Sequence, residues 1–302
     1  MPANRKYGMD HPYYSWSPLP SRSRLRWPNG ANIAICVIIN LEHEQWEIAQ
    51  KSYVDPHLAG GLSPRPWPDY MRITHREYGH RVGIFRVLAA LEKANIPPTI
   101  AIDSATARIY PYLVKYCRDK GSEFIAHGMS VNSMVTSRMS YSTERKYIRE
   151  TMDTLTEFTG ESPRGWFGPE FGESQHTPQI LGELGFRYVC DWPNDEQPYI
   201  MTVPTGELSS LPIMWELDDV NALWNRKIPV KNYAKMLTDA FDKMYMDGLD
   251  NGRLLVLNLH PWLIGQPFRI GYLEKALAHV RSKKRVWAAT GSEIIEWFRD
   301  QS

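Results

Sequence analysis

Three apolar runs in this chain are each followed directly by an ionisable side chain. Glu42 follows residues 32–41, His127 follows residues 123–126, and His260 follows residues 254–259. A histidine taken alone is more often a packed structural residue than a catalyst. A carboxylate beside an imidazole, however, can hold a general base near neutral pH, because each group shifts the pKa of the other. Glu42, His127 and His260 are therefore the candidate catalytic residues.

Further polar and aromatic residues lie near the ends of apolar runs, where they could contact a substrate. The candidate substrate-binding residues are Asn40, Asp103, Trp166, Glu170, Asp191 and Trp192. Aromatic residues in loops often line a pocket, but any one of them is more often ordinary packing. Glu170 and Asp191 fit either a substrate contact or a structural loop residue, and both interpretations stay open. Asp218 and Asp219 are predicted to be structural carboxylates of a loop.

Eight short runs rich in β-branched and other apolar residues predict eight strands. They cover residues 32–41, 99–102, 123–126, 165–167, 187–190, 210–213, 254–259 and 286–289. Most are apolar at nearly every position, as in strands buried on both faces of a parallel sheet. Helical patterns such as residues 81–94 separate many of them. The alternation predicts a closed or partly closed α/β barrel, in which the carboxyl ends of the strands meet at one rim.

An open, doubly wound sheet is the alternative fold. A GxGxxG loop after the first strand would support it by binding a dinucleotide, and the sequence has no such loop there. We therefore expect a single domain over residues 1–302, in which residues 1–30 form an N-terminal arm. Residues 52–70 are rich in Pro and Gly and are predicted to form a long loop, either a lid over the site or a solvated insertion.

The composition argues against several classes of partner. Lys and Arg total 35 against 34 Asp and Glu, so no strong overall field attracts nucleic acid or an anionic membrane. A small, roughly neutral substrate fits better. No stretch of about 18 apolar residues occurs, and the first residues carry no export signal, which predicts a cytoplasmic protein. The neutral, aromatic composition permits a homo-oligomer, but no motif fixes the number of subunits.

Water is the favoured nucleophile. The sequence contains no GxSxG elbow and no cysteine beside the candidate histidines, which disfavours a serine or cysteine acyl-enzyme. Cys36, Cys117 and Cys190 are widely spaced and form no CxxC pair. They suggest neither a disulfide framework nor a cysteine zinc site.

Several short motifs follow one another along the chain in a fixed order. They are Trp27-Pro28-Asn29-Gly30, Asn40-Leu41-Glu42, Glu77-Tyr78-Gly79, Ala126-His127-Gly128, Pro163-Arg164-Gly165-Trp166, the segment 191–199, Leu217-Asp218-Asp219, Leu259-His260-Pro261 and Ile264-Gly265-Gln266-Pro267. Each is weak alone, but their order and spacing resemble the polysaccharide deacetylases, and within them the allantoinase-like branch that is also associated with cyclic-imide hydrolysis. The resemblance implies a distorted (β/α) barrel with seven to eight parallel strands.

The sequence departs from the metal site of typical members of that family. Those members carry two aspartates at the end of the first strand and a second motif HxxxH. The matching residues here are Asn40 and Glu42, and the second motif runs from His127 to Val131. A catalytic zinc takes three protein ligands and a water, and valine has no lone pair to offer. The resemblance to the allantoinase-like branch, whose members need no metal, implies no cofactor; zinc or another divalent cation on Glu42 and His127 is the alternative.

The leading hypothesis is a hydrolase of non-peptide carbon–nitrogen bonds in a small amide, which the resemblance implies to be a cyclic ureide or imide. Glu42 or His127 would activate a water, His260 would act as an acid or oxyanion donor, and Asn40 would hydrogen-bond the substrate. One alternative is a metal-dependent deacetylase of an N-acetylated sugar or another small amide. Another is a catalytically inactive barrel that binds a ligand.

Overall fold

The computed structural model of this chain describes residues 10–47 and 69–301. Within these residues nine strands form one sheet: β1 Ile33–Leu41, β2 Pro98–Ile102, β3 Glu123–Ala126, β4 Gly165–Trp166, β5 Tyr188–Val189, β6 Tyr199–Met201, β7 Leu208–Ser210, β8 Arg253–Leu259 and β9 Val286–Ala288. Their order is β6-β7-β5-β4-β3-β2-β1-β8, and β9 also pairs with β1. Every pair is parallel except β6 with β7. The predicted α/β barrel with a curled, mostly parallel sheet is confirmed.

Ten α-helices accompany the strands in the same part of the chain. They are α1 Tyr70–Tyr78, α2 Ile84–Ala94, α3 Ser104–Ile109, α4 Pro111–Asp119, α5 Tyr141–Thr159, α6 Thr177–Leu184, α7 Val230–Asp247, α8 Pro261–Ile264, α9 Ile270–Ser282 and α10 Gly291–Arg299. Helix α5 begins at Tyr141, because the Ser140 side chain accepts the N–H of Thr143 and caps the helix. At its other end Gly160 takes the left-handed conformation that stops the helix.

Strand β1 shows why the runs are apolar throughout. All nine of its residues are buried, and successive side chains point to opposite faces of the sheet. Ile35 and Ile39 belong to the larger apolar cluster, which includes α2 and α9, whereas Cys36 and Ile38 belong to a second cluster within the barrel. A strand with two apolar faces is buried on both sides, as the sequence pattern predicts.

The register of the sheet brings the carboxyl ends of four strands to one level. Leu41 pairs with Ile102, Ile102 with Ala126, and Ala126 with Trp166. On the other side of β1, Ile39 pairs with Leu259. The residues that follow β1, β3 and β8 therefore emerge at the same rim.

Two predicted segments, the N-terminal arm and the loop 52–70, lie partly outside the described residues. The predicted loop 52–70 falls almost wholly outside them, but its last residue, Tyr70, is the first residue of α1, which Asp69 caps. Of the predicted N-terminal arm 1–30, residues 10–30 are described and contain two short helical turns, Leu19–Ser21 and Pro28–Gly30. The antiparallel strand β6 lies in a segment for which the sequence predicts no strand.

Candidate active site

Glu42 and His127 are in direct contact at the rim. His127 Nε2 lies 3.0 Å from Glu42 Oε1, and His127 Nδ1 lies 2.6 Å from the Phe167 carbonyl oxygen. A carbonyl only accepts, so Nδ1 carries a hydrogen. Nε2 and the carboxylate then need one further proton between them. Phe167 thus fixes which nitrogen of His127 faces Glu42.

Glu42 holds its negative charge within this contact. Burial favours its neutral form, but the hydrogen bond from His127 and the positive charges of His260, His127 and Arg76 lower its pKa from 4.5 to about 2. The carboxylate is therefore ionised at neutral pH.

His260 faces Glu42 from the other side. Its Nε2 lies 4.0 Å from Glu42 Oε2, and its Nδ1 lies 2.7 Å from Asp219 Oδ1. The backbone N–H of His260 also donates to both Asp219 oxygens, at 3.1 and 3.0 Å. Burial lowers the pKa of His260, but Asp219, Glu42 and Asp218 raise it from 6.5 to about 9. His260 is an imidazolium at neutral pH, with Nδ1–H held by Asp219.

A chain of buried amides supports His260 from β1. The Asn40 amide donates to Asn258 Oδ1 at 2.7 Å and to the Leu259 carbonyl at 3.2 Å. The Asn258 amide in turn donates to Asp218 Oδ2 at 2.6 Å. Asn40 Oδ1 is buried and has no hydrogen-bond partner in the described part of the chain. The amide group of Asn40 thus ties β1 to β8, and its oxygen is the atom left for the predicted substrate contact.

A small cavity adjoins the carboxylate of Glu42. Its other lining residues are Glu44, Arg76, Val131 and Trp262. Arg76 extends from α1, and its guanidinium carbon lies 3.8 Å from the centroid of the Trp262 ring. The rim therefore brings together a carboxylate, two imidazoles and a guanidinium beside this small cavity.

Comparison with known proteins finds a family match over part of the chain. Residues 77–189 match the polysaccharide deacetylase family. Among solved structures, the chain is similar to PuuE allantoinase, with 26% identity, a TM-score of 0.85 and 98% of each chain covered. The predicted resemblance to the allantoinase-like branch of this family is confirmed.

Two curated relatives extend the comparison. A Schizosaccharomyces pombe protein assigned to the polysaccharide deacetylases is 25% identical over 293 residues, which cover 89% of the chain and 91% of that protein. A peptidoglycan deacetylase of Helicobacter pylori is 23% identical over 253 residues, with 73% and 85% covered. Deacetylases and allantoinases hydrolyse non-peptide carbon–nitrogen bonds, so the predicted enzyme class is confirmed. Among the described helices, none combines the length and the apolar character that a membrane span requires.

The metal site of typical polysaccharide deacetylases does not fit the residues of this chain. Val131, at the position of the third ligand, lines the cavity beside Glu42 and is 5% exposed. It offers the cavity a hydrocarbon surface in place of a ligand atom. The Arg76 guanidinium lines the same cavity and acts on Glu42 as a positive charge. A divalent cation bound there would lack a ligand and would face a fixed positive charge.

Asp218, Asp219 and His260 form a second grouping with the right atoms for a cation. In the described part of the chain, theirs are the only ligand atoms of three such residues that lie within 4.8 Å of one another. Their oxygens are already used, however. Asp219 accepts from His260, and Asp218 accepts from the Asn221 N–H at 2.7 Å and from the Asn258 amide. These N–H donors occupy the sides of the carboxylate oxygens that a metal would need. The grouping therefore supports His260 through hydrogen bonds.

Asp103 and Trp166 do not lie where a substrate contact requires. Asp103 is fully buried and caps α3, since its oxygens accept the N–H groups of Thr106 and His43, each at 2.6 Å. Burial raises the pKa of Asp103 to about 7, although these hydrogen bonds act to lower it. Trp166 is also fully buried and packs against Phe186 in the core. The predicted substrate contacts of Asp103 and Trp166 are therefore replaced by structural contacts.

The three remaining predicted residues follow β4 and β5. Glu170 sits in a tight turn with a φ of 52°, and its charge acts on Arg76. Asp191 accepts the N–H of Gly168 at 2.9 Å and so holds the start of this turn. The Trp192 ring packs near Tyr13 of the N-terminal arm, 5.3 Å between centroids. Glu170 is thus the one of the three that the structure relates to the cavity.

Two residues of the site are absent from the sequence-based candidates. Asp219 is predicted as a structural loop carboxylate, yet it binds His260 directly. The sequence signal that could have identified Asp219 was the motif Leu217-Asp218-Asp219, which is one of the motifs that resemble the polysaccharide deacetylases. Arg76 directly precedes the motif Glu77-Tyr78-Gly79, but nothing in its own spacing indicates that a guanidinium enters the site.

Proposed function

We propose that this chain hydrolyses a carbon–nitrogen bond of a small cyclic amide, a ureide or an imide, by water attack without a metal. The observation that carries the proposal is the contrast between Glu42 and His260. Their side chains approach to 4.0 Å, and one is held as a base and the other as an acid. Such a separation of pKa values between neighbouring groups is the usual basis for assigning acid and base roles.

The reaction follows from these protonation states. Glu42 accepts a proton from a water as the water oxygen bonds to the carbonyl carbon, and the Nε2–H of His260 donates to the carbonyl oxygen as it becomes negative. Collapse of the tetrahedral intermediate breaks the bond between carbon and nitrogen. The proton that Glu42 took passes to the leaving nitrogen, which regenerates the carboxylate. The product is a ring-opened acid with a free amide or urea group.

His127 acts in this scheme by holding Glu42. Its Nδ1 is committed to the Phe167 carbonyl and its Nε2 to Glu42, so it has no nitrogen left to deprotonate water. We therefore assign the base role to Glu42 and a positioning role to His127. This assignment selects Glu42 from the two candidate bases that the sequence leaves open.

The low pKa of Glu42 favours a reactive substrate. A carboxylate with a pKa of about 2 is a weak base. Among the described residues, a metal that could activate the carbonyl has no complete ligand set beside Glu42. The carbonyl carbon itself must then be electrophilic. Cyclic imides and ureides meet this condition better than the acetamide of an N-acetylated sugar. The similarity to PuuE allantoinase supports the same substrate class.

The proposal is tested by measuring ring opening of a five-membered cyclic imide and of allantoin, with acetylated amino-sugar oligomers in parallel. The protein is assayed after chelator treatment and dialysis, with and without added zinc. We expect ring opening that zinc does not change, and no release of acetate. Acetate release that requires zinc would support a metal-dependent deacetylase, and tight binding without turnover would support an inactive ligand-binding barrel.

A further inference from the structure

Arg76 stands between two parts of the cavity at Glu42. Val131 and Trp262 line one part, and residues that include His43, His80 and Tyr110 line the other. Glu42, Glu44 and Arg76 line both parts. The Arg76 side chain therefore borders the space beside Glu42 in both parts.

The guanidinium of Arg76 is held in place by its surroundings. The residue is 9% exposed, and the guanidinium carbon lies 3.8 Å from the Trp262 ring centroid. The backbone below it is close to α8, since a Cβ on Gly79 would lie 2.8 Å from the Trp262 nitrogen. Glycine at this position lets α1 approach Trp262. The stacked arginine therefore presents its donors in a fixed plane.

Two donors of this arrangement lack acceptors. Arg76 Nη2 and Trp262 Nε1 are buried and have no hydrogen-bond partner among residues 10–47 and 69–301. Leaving a buried donor unpaired is unfavourable, and more so for a charged one. Burial lowers the pKa of Arg76, while Glu42, Glu170 and Glu44 act in the opposite direction, and a guanidinium stays protonated. The cavity thus contains a fixed cationic donor that an oxygen atom could satisfy.

We propose that Arg76 donates a hydrogen bond to the second carbonyl oxygen of a cyclic imide or ureide, the one that water does not attack. This inference rests on the proposed function and names the feature of the substrate that the site selects. A neutral oxygen suits the position better than a carboxylate, because the negative charges of Glu42 and Glu170 already act on Arg76. A substrate with one carbonyl leaves the donor unpaired, so Arg76 discriminates against lactams and simple amides.

The test compares two substrates in one variant. Arg76→Gln is assayed on a five-membered cyclic imide and on 4-nitroacetanilide, which has one carbonyl and a good leaving group. A hydrogen bond to a charged group accounts for about a tenfold to hundredfold effect on kcat/KM. We expect that loss for the imide and a loss below about threefold for the anilide. Arg81→Gln, a charge-matched control at an exposed position in the turn after α1, should leave both rates unchanged.

Equal losses for both substrates would overturn the role of Arg76 and make it a support for Glu42. Arg76→Lys keeps the charge but loses the planar fork, and we expect an imide rate between those of wild type and Arg76→Gln. Calorimetry on the inactive Glu42→Gln protein separates this inference from the proposed function. If no imide is hydrolysed but Glu42→Gln binds it at least about tenfold more tightly than the double variant Glu42→Gln/Arg76→Gln, the binding role stands and the hydrolysis fails. Equal affinities would refute the binding role.

Discussion

Replacement of Asp219 by asparagine tests whether the charge behind His260 keeps it protonated. The carboxylate accepts from His260 Nδ1 at 2.7 Å and contributes most among the groups that raise the pKa of this histidine. Burial acts in the opposite direction and remains in the variant. The asparagine keeps an oxygen for Nδ1–H but removes the charge, so the pKa of His260 should fall from about 9 to 6.5 or below.

The size of the effect depends on pH. If the rate requires protonated His260, a fall of its pKa from 9 to 6.5 removes about 30-fold of the activity at pH 8 but less than about twofold at pH 6. The assay is kcat/KM for ring opening from about pH 5 to 10. The alkaline limb should move to lower pH by about 2.5 pH units in Asp219→Asn.

The neighbouring carboxylate supplies a matched control. Asp218 contributes least among the groups that raise the pKa of His260, after Asp219 and Glu42. Asp218→Asn should therefore move the alkaline limb much less than Asp219→Asn. An Asp219→Asn profile whose alkaline limb coincides with that of wild type, or a rate loss equal at every pH, would refute the reasoning. Thermal denaturation at about pH 6, where both histidine states are mostly protonated, checks that both variants fold.

Three further predictions follow from the same contacts. Glu42→Gln should lower kcat by about 10²- to 10⁴-fold, the range for loss of a general base, whereas Glu150→Gln on the outer face of α5 should not change it; single-turnover rates measure this. Stability should also depend on pH: the pKa of His260 is higher folded than unfolded, so its stabilisation is complete below pH 6.5 and is lost as pH rises to 9. Urea unfolding should lose up to about 3 kcal/mol more over that range in wild type than in His260→Gln. Chelation should leave the rate of ring opening unchanged, and elemental analysis should find less than one metal ion per chain. An activity that disappears with the metal would contradict the argument that Val131 leaves the metal site incomplete.

The strand ends could be predicted from the sequence because a parallel sheet aligns them. Glu42, His127 and His260 each come directly after a run of apolar residues, and parallel pairing places the ends of such runs at one rim. The three strands that precede these residues needed no information beyond their composition. Strand β6 was missed because it has three residues and lies in a segment rich in proline and aromatic residues, where no alternating or apolar pattern can develop.

The direction of single side chains could not be predicted in the same way. Trp166 and Phe167 are neighbours at the end of β4, but Trp166 packs in the outer cluster and Phe167 in the inner one. A shift of one residue exchanges the two faces of a strand, and a strand of two residues carries no pattern that fixes its register. Asp103 did carry a signal, since an aspartate directly before a helix is a common cap. At the end of a strand that signal competes with a substrate contact.

The base and the acid could be assigned only once the hydrogen-bond partners of each group were known. The sequence offers Glu42 and His127 equally as a base, because it cannot show that Phe167 binds one nitrogen of His127. It also cannot show that Asp219, 41 residues away along the chain, lies behind His260. With that carboxylate in place, burial does not suffice to neutralise His260, and the imidazolium in turn lowers the pKa of Glu42. The acid therefore helps to keep its neighbouring base ionised, so loss of Asp219 should also raise the pKa of Glu42 through His260.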